Sequence, residues 1–203
     1  MGMSLSWLAV QNTGAEAVYR ELRLESEGEQ GDLADFPLSA QALPNGWLLL
    51  VARGCDHPLV GRDVLRRVSA NCTAVACSIE EHVMFSSARV WSLGEERWSI
   101  VHAGGDHGTR HLEVQGTPPD TFVDIEKTLR ASQEEADRTA DEESGVDHVF
   151  DIPLETARQI VGFKHDEDTP GVPSDAFQGL KALPGSPLAR TSRSWLGRLL
   201  RKV

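Results

Sequence analysis

Short apolar segments alternate with polar ones along most of the chain, and their spacing predicts a mixture of strands and helices. Residues 5–11 (LSWLAVQ) have the length and composition of a strand. Residues 47–52 (WLLLVA) contain no polar position, which is typical of a central strand covered on both faces. Residues 59–71 place Val and Leu at helical spacing. An earlier helix is predicted after Thr13, because Thr13 and Glu16 have the spacing of a capping box.

The segment between the first predicted helix and the strand at 47–52 has few apolar positions. Residues 25–45 are polar and interrupted by Gly and Pro, so we predict a long polar excursion there. From residue 73 the pattern becomes typical of strands. Residues 73–91 are too long for one ordinary strand and predict a bend near Glu80-Glu81. Two further strands at 97–103 and 111–116 would complete an antiparallel meander.

Two helices are predicted after the meander. The first begins after Pro118-Pro119 and runs into an acidic segment, and the second, at 151–163, has Asp151 as a plausible N-cap and Gly162 at its end. This order of elements predicts an α+β fold. We expect a mostly antiparallel sheet, with the meander at 73–116, and helices packed on one side of it in a two-layer arrangement.

Chain length and composition predict one main domain. With 203 residues and 40% hydrophobic residues, the chain can bury one substantial core without disulfides. We expect a single α+β domain at 1–166. Residues 167–203 are rich in Pro and Gly and end in a basic amphipathic segment, so we expect a linker and a tail that are partly disordered.

The sequence favours a cytoplasmic protein. No apolar run has the length of a transmembrane span, and the first residues lack the pattern of a secretory signal. The three cysteines, Cys55, Cys72 and Cys77, show no disulfide spacing, which fits buried thiols in a reducing compartment.

The charge is strongly negative and unevenly distributed. A net charge of −11 argues against a nucleic-acid surface on the main body and is compatible with a basic protein partner. Carboxylates are concentrated between Asp124 and Asp147, whereas the residues after Asp175 include bases and no acids. This asymmetry suggests that different parts of the chain meet different surfaces.

A histidine-rich segment, IVHAGGDHGTRHLEV (100–114), is the most conspicuous candidate site. If His102 lies opposite His111 in a hairpin, Val101, Leu112 and Val114 share the apolar face, and His102, His111 and Glu113 meet on the other. A decorated hairpin or a partner-contact loop is the preferred interpretation. An acid–base or polar binding site is the second, and a divalent transition metal held by His102, His107 and His111 is the third. We otherwise expect no cofactor.

Other candidate chemistry is sparse. His82 could act beside Glu80-Glu81 as an acid–base group, although a solvated bend is favoured. The Gly54-Cys-Asp-His57 segment brings a thiol near an imidazole, but no third group is evident to orient the histidine. Phosphate-binding and dinucleotide-binding glycine patterns are absent from the sequence. Nothing here identifies a reaction.

Candidate partner-binding residues lie in three places. Trp91 and Trp98 flank a turn and are expected to pair across it, as a staple or as an aromatic anchor. Asp106 and His107 belong to the histidine loop, and Glu134 and Glu135 to the acidic segment. The basic tail is expected to dock on the chain's own acidic segment or to remain disordered, with a membrane surface as the alternative; its residues are Trp195, Leu196, Arg198, Leu199, Arg201 and Lys202.

Six segments together resemble a family of bacterial proteins for which no activity is established. They are SWLAVQ, LPNGWLLLV, IEEHVMFSS, the hairpin around RWSIVH, HLEVQG and FDIPLETARQIVGFKHD. The resemblance covers about residues 4–166 and implies no catalytic residue or cofactor. The tail from residue 167 lies outside it.

Two functions follow as expectations. The first is a non-enzymatic acidic binding protein, such as an immunity-type protein that neutralises a basic partner, since electrostatic complementarity raises association rate and selectivity. The alternative is a small enzyme or ligand-binding protein that uses His102, His111 and Glu113 on an open sheet face. Whether those three side chains line a pocket is the observation that separates the two.

Overall fold

The computed structural model describes residues 2–139 and 146–189, and its centre is one nine-stranded antiparallel sheet. The strands are β1 (Ser4–Gln11), β2 (Leu24–Gly31), β3 (Leu38–Ala42), β4 (Trp47–Arg53), β5 (Thr73–Glu80), β6 (Phe85–Ser92), β7 (Glu95–Ala103), β8 (Glu113–Gly116) and β9 (Phe177–Ala182). The helices are α1 (Ala15–Leu22), α2 (Arg62–Val68), α3 (Gly104–His107), α4 (Thr121–Thr139) and α5 (Asp151–Val161). The order of the strands in the sheet is β2-β9-β3-β4-β1-β5-β6-β7-β8, so β2 and β8 are the edge strands.

The α+β class and the antiparallel meander are confirmed. The bend that the sequence predicts inside 73–91 is present as a single 3-10 turn at Glu81–Val83, which separates β5 from β6. The strand predicted at 47–52 lies in the interior of the sheet between β3 and β1, and six of its seven residues are buried. A continuous apolar run therefore identified a central strand, because both faces of that strand are covered.

Helices cover both faces of the sheet, which corrects the predicted two-layer arrangement. Trp7 of β1 and Leu49 of β4 belong to the core beneath α4 and α5, whereas the adjacent Leu8 and Leu50 pack with α1 and α2. Successive side chains of a strand point to opposite faces, so two cores form on either side of one sheet. The apolar runs in β1 and β4 already carried this information, since a one-sided sheet would alternate with polar residues.

The polar excursion predicted at 25–45 contains two strands of the sheet. Residues 24–31 and 38–42 form β2 and β3, and β9 lies between them in the sheet. β9 comes from the segment that we expected to be a linker, so the compact part of the chain extends beyond residue 166. Strand β2 contains one buried apolar residue, Leu24, so its sequence lacks the apolar pattern of a strand. It forms a strand because its backbone pairs with that of β9.

The helix ends differ from prediction in their caps. Helix α1 begins after Gly14 without a side-chain cap, and the Thr13 hydroxyl donates instead to the Gln11 carbonyl at 3.2 Å. Helix α5 ends at Gly162 with φ +80°, as predicted, because a glycine adopts the left-handed conformation without a steric penalty. No helix in the described part of the chain is long and apolar enough to cross a membrane. The predicted tail residues 195–202 lie outside the described residues.

Candidate functional site

The histidine segment adopts a different register from the predicted hairpin. Val101 pairs with Glu113 and Ile100 with Val114, a shift of one residue relative to prediction. The cause is α3, a one-turn helix at Gly104–His107 that absorbs the residues expected to form a simple turn. Because a shift of one residue reverses the face of every side chain in a strand, Glu113 is separated from the face that carries His102.

His102 is fully buried on the sheet face that α4 and α5 cover. Its Nδ1–H donates to the His111 carbonyl oxygen at 2.6 Å, and its Nε2 lies 2.8 Å from Oδ2 of Asp147, whose side chain is also buried. A carbonyl oxygen can only accept, so Nδ1 must carry a proton, and a second proton lies between Nε2 and the carboxyl group. The expected open histidine face is therefore wrong, and both ring nitrogens of His102 are occupied.

Hydrogen bonds from the turn before α5 and from helix α4 fix the position of Asp147 in the buried His102–Asp147 pair. Asp147 Oδ1 accepts from the Phe150 backbone N–H at 3.2 Å and so caps the turn that leads into α5. The side chain of Gln133, on α4, donates to the Val146 carbonyl and accepts from the His148 backbone N–H, on either side of Asp147. A fully satisfied polar network of this kind fixes the arrangement of the elements that it joins.

Glycine at position 104 is required by this pair. A Cβ atom there would lie 2.4 Å from Asp147 Oδ2 and 2.8 Å from His102 Nε2, closer than side-chain carbons approach other atoms. The sequence analysis placed Asp147 at the end of the acidic stretch and assigned the N-cap to Asp151. An aspartate three residues before Phe150 at a helix start is the capping signal that could have identified Asp147.

The other two histidines of the segment are less buried than His102, since His107 is exposed and His111 is partly buried. His111 Nδ1 accepts from the Ala103 N–H at 3.0 Å, and its Nε2 is 3.5 Å from an oxygen of the exposed Glu113. The His107 ring stacks on His111 with centroids 4.8 Å apart, and Asp106 is exposed. Across the described ranges, no group of three or more His, Cys, Asp or Glu is placed to hold a metal ion.

The other two polar candidates do not assemble into catalytic groups. His57 Nδ1 accepts from the Leu59 N–H and so caps the 3-10 turn at Pro58–Val60. Burial raises the pKa of the Cys55 thiol to about 11, which keeps the sulfur protonated at neutral pH. Glu80 lies 2.7 Å from His82 Nδ1, whereas Glu81 turns away to the buried His165.

Both tryptophans proposed as partner anchors are buried, and they do not pair with each other. Trp98 is opposite Val90 and belongs to the core beneath α4 and α5, while Trp91 belongs to the core on the other face. The guanidinium of Arg62 lies 5.7 Å from the ring centroid of Trp91. The prediction that these side chains meet a partner is therefore wrong, because each is needed to fill a core.

The structure separates two groups of exposed carboxylates. On α4, Glu135 pairs with Arg138, and Asp137 lies 2.7 Å from Arg110; Glu134 is exposed and has no ion pair with a described residue. On the edge strand β2, three glutamates are exposed: Glu25, Glu27 and Glu29. Of these three only Glu25 has a cationic partner in the described ranges, Lys181 at 3.1 Å.

A cleft of about 410 Å³ adjoins the end of β2, and sequence reasoning did not find it. Its walls come from the segment after β2, the N-terminal end of β1 and the segment between α5 and β9. The acidic lining residues are Asp32, Asp166, Glu167 and Asp168, and apolar ones are Leu33, Phe163, Val172 and Phe177. These residues are distant in sequence, and only the insertion of β9 between β2 and β3 brings them together.

His165 also lines the cleft, and its side chain is 1% exposed. Its Nε2 is 3.2 Å from Oε1 of Glu81, while Nδ1 has no hydrogen-bond partner and lies 3.7 Å from Oδ1 of Asp166. Lys164 beneath it contacts both Asp151 and Asp166, and the carboxylate of Asp151 contributes to a raised pKa of that amine despite its burial. Buried polar atoms without a hydrogen-bond partner are uncommon, so Nδ1 distinguishes His165 among the residues that line this cleft.

Comparisons of the chain with protein-family models, with curated proteins and with solved structures gave no match. A function can therefore be proposed only from the surfaces and the cleft of this structure.

Proposed function

We propose that this protein is an acidic binding protein for a basic protein partner, and that its binding surface is the edge strand β2. The observation that carries the proposal is the group of exposed glutamates at 25, 27 and 29, two of which no described cation neutralises. Unpaired carboxylates on one edge attract a basic surface and select against an acidic one. Neutralisation of that partner, in the manner of an immunity protein, is the role that we propose for such a surface.

An edge strand adds backbone groups to this charge. Among the described residues, strand β2 pairs on one side with β9, with an irregular register between Ser26 and Gln30, and has no strand on its other side. It therefore presents backbone donors and acceptors as well as carboxylates. A basic segment in extended conformation would meet both. The side-chain arrangement around His102 supports the structural role described above, and we do not propose a reaction for it.

The test uses an arginine-rich peptide as the probe and two charge-matched triple variants of the full chain. One variant is Glu25→Gln/Glu27→Gln/Glu29→Gln on β2, and the control is Asp124→Asn/Glu134→Gln/Glu135→Gln on α4. If each β2 charge contributes about 0.5 kcal/mol, the β2 variant should bind about tenfold more weakly by isothermal titration. The control should change affinity less than about threefold, and added salt should weaken the wild-type complex.

Equal losses in both variants would contradict the proposal, since they would show attraction to net charge alone. A β2 variant that binds the peptide normally but forms dimers in sedimentation would also contradict it. In that case the glutamates would serve to keep the sheet edge from pairing with a second copy.

A further inference from the structure

We propose that the cleft beside β2 binds the side chain of an arginine presented by the basic partner. This inference rests on the proposed function and names the group that the partner inserts. The cleft volume of about 410 Å³ is within the range of small-ligand sites and exceeds what one side chain needs.

The charge of the cleft favours a cation. Glu167 is partly neutralised by Arg158 at 3.0 Å and by Lys164, which also contacts Asp166. Neither Asp32 nor Asp168 belongs to the ion pairs found among the described residues at the cleft. A bound cation would complete the ion pairing of these two carboxylates.

The hydrogen-bonding groups of the cleft favour a donor. When His165 donates Nε2–H to Glu81, its buried Nδ1 has a lone pair and no hydrogen-bond partner, with Asp166 Oδ1 as a neighbour at 3.7 Å. The carboxylates of the lining are acceptors as well. A ligand with several N–H donors and no acceptor matches this set of groups, and a guanidinium has five such donors in a fixed plane.

The apolar lining favours arginine over lysine. Phe163 and Phe177 line the cleft, and Phe163 is fixed by an edge contact with Trp7 at 5.7 Å between ring centroids. A guanidinium is planar and weakly hydrated, so it can lie against an aromatic ring, whereas an ammonium keeps its hydration shell. The three methylene groups of an arginine side chain would cover Leu33.

The experiment measures binding of N-acetyl-arginine methylamide to the full chain by NMR titration, with the corresponding capped norleucine and capped lysine as matched probes. We expect the arginine probe to bind at millimolar concentration, about tenfold more tightly than norleucine and more tightly than lysine. The ring signals of His165 should shift more than those of His57, which does not line the cleft. The variant Asp32→Asn/Asp168→Asn should weaken arginine binding about fivefold.

The β2 triple variant separates this inference from the proposed function. Glu25, Glu27 and Glu29 do not line the cleft, so that variant should lose the arginine-rich peptide but keep the capped arginine. Suppose that the β2 variant loses the arginine-rich peptide and that the wild-type chain does not bind capped arginine up to about 20 mM. This result would overturn the cleft inference and leave the proposed function intact. Equal affinity for capped lysine or norleucine, or an unchanged affinity of the Asp32/Asp168 variant, would also overturn it.

Discussion

Replacement of Asp147 tests whether the buried pair with His102 organises the fold. Asp147→Ala removes two acceptors, one for His102 Nε2 and one for the Phe150 N–H. If His102 loses its second proton, Nε2 becomes a buried acceptor without a donor, at a cost of about 1 to 3 kcal/mol, and the lost cap adds about 1 kcal/mol. If His102 remains charged, an unpaired buried charge costs about 3 to 5 kcal/mol. The first case gives a loss of about 2 to 4 kcal/mol and the second a loss of at least about 3 kcal/mol, so we expect about 3 kcal/mol.

Asp147→Asn should cost less, for a specific reason. The amide oxygen can still accept from Phe150, and the amide N–H can donate to Nε2 once His102 has only its Nδ1 proton. His102 then keeps its bond to the His111 carbonyl, and every buried group is satisfied. We expect a loss of about 1 kcal/mol, so that the two variants differ by about 2 kcal/mol.

The assay is equilibrium urea unfolding followed by tryptophan fluorescence, with thermal unfolding as a second measurement. A chain of this size shifts its Tm by about 2 to 4 °C per kcal/mol, so Asp147→Ala should melt about 6 to 12 °C below wild type. Asp63→Ala is the control, because Asp63 forms an exposed pair with Arg66 at 3.9 Å. Equal losses in the Ala and Asn variants, or an Ala variant within about 1 kcal/mol of wild type, would refute the reasoning.

Two further predictions concern close packing and thiol burial. Gly104→Ala should destabilise the protein by more than about 2 kcal/mol in the same urea assay, since its Cβ would contact Asp147. The control Gly14→Ala should cost less than about 1 kcal/mol, because no atom lies within 4 Å of the added Cβ. Similar losses in both variants would contradict the packing argument. At pH 8, a maleimide should label Cys72 first in the native protein, because burial raises the pKa of Cys55 to about 11 and raises that of Cys77 well above its usual range. If mass spectrometry found Cys77 modified before global unfolding, this thiol would be accessible in the native protein and the prediction would be wrong.

The elements with strong local patterns were predictable from sequence. β1, β4, the meander and α5 were found because their apolar spacing matches one period over several residues. β2 was missed because LESEGEQG has almost no apolar residues and forms a strand by pairing with β9, about 150 positions later. The hairpin register at β7 and β8 was wrong by one residue because a short helix replaced the expected turn.

The candidate sites divide in the same way. By itself, the sequence determined the secondary structure of the central strands, the α+β class, the acidic charge and the presence of clustered histidines, because those properties belong to residues or to short segments. Only the tertiary structure decided which groups meet. It buried His102 against Asp147, 45 residues away, buried both tryptophans, and joined the ends of β1, β2 and the segment before β9 into one acidic cleft. Such contacts arise from strand order and from the covering of both sheet faces, which depend on the free energy of the whole chain and not on any local pattern.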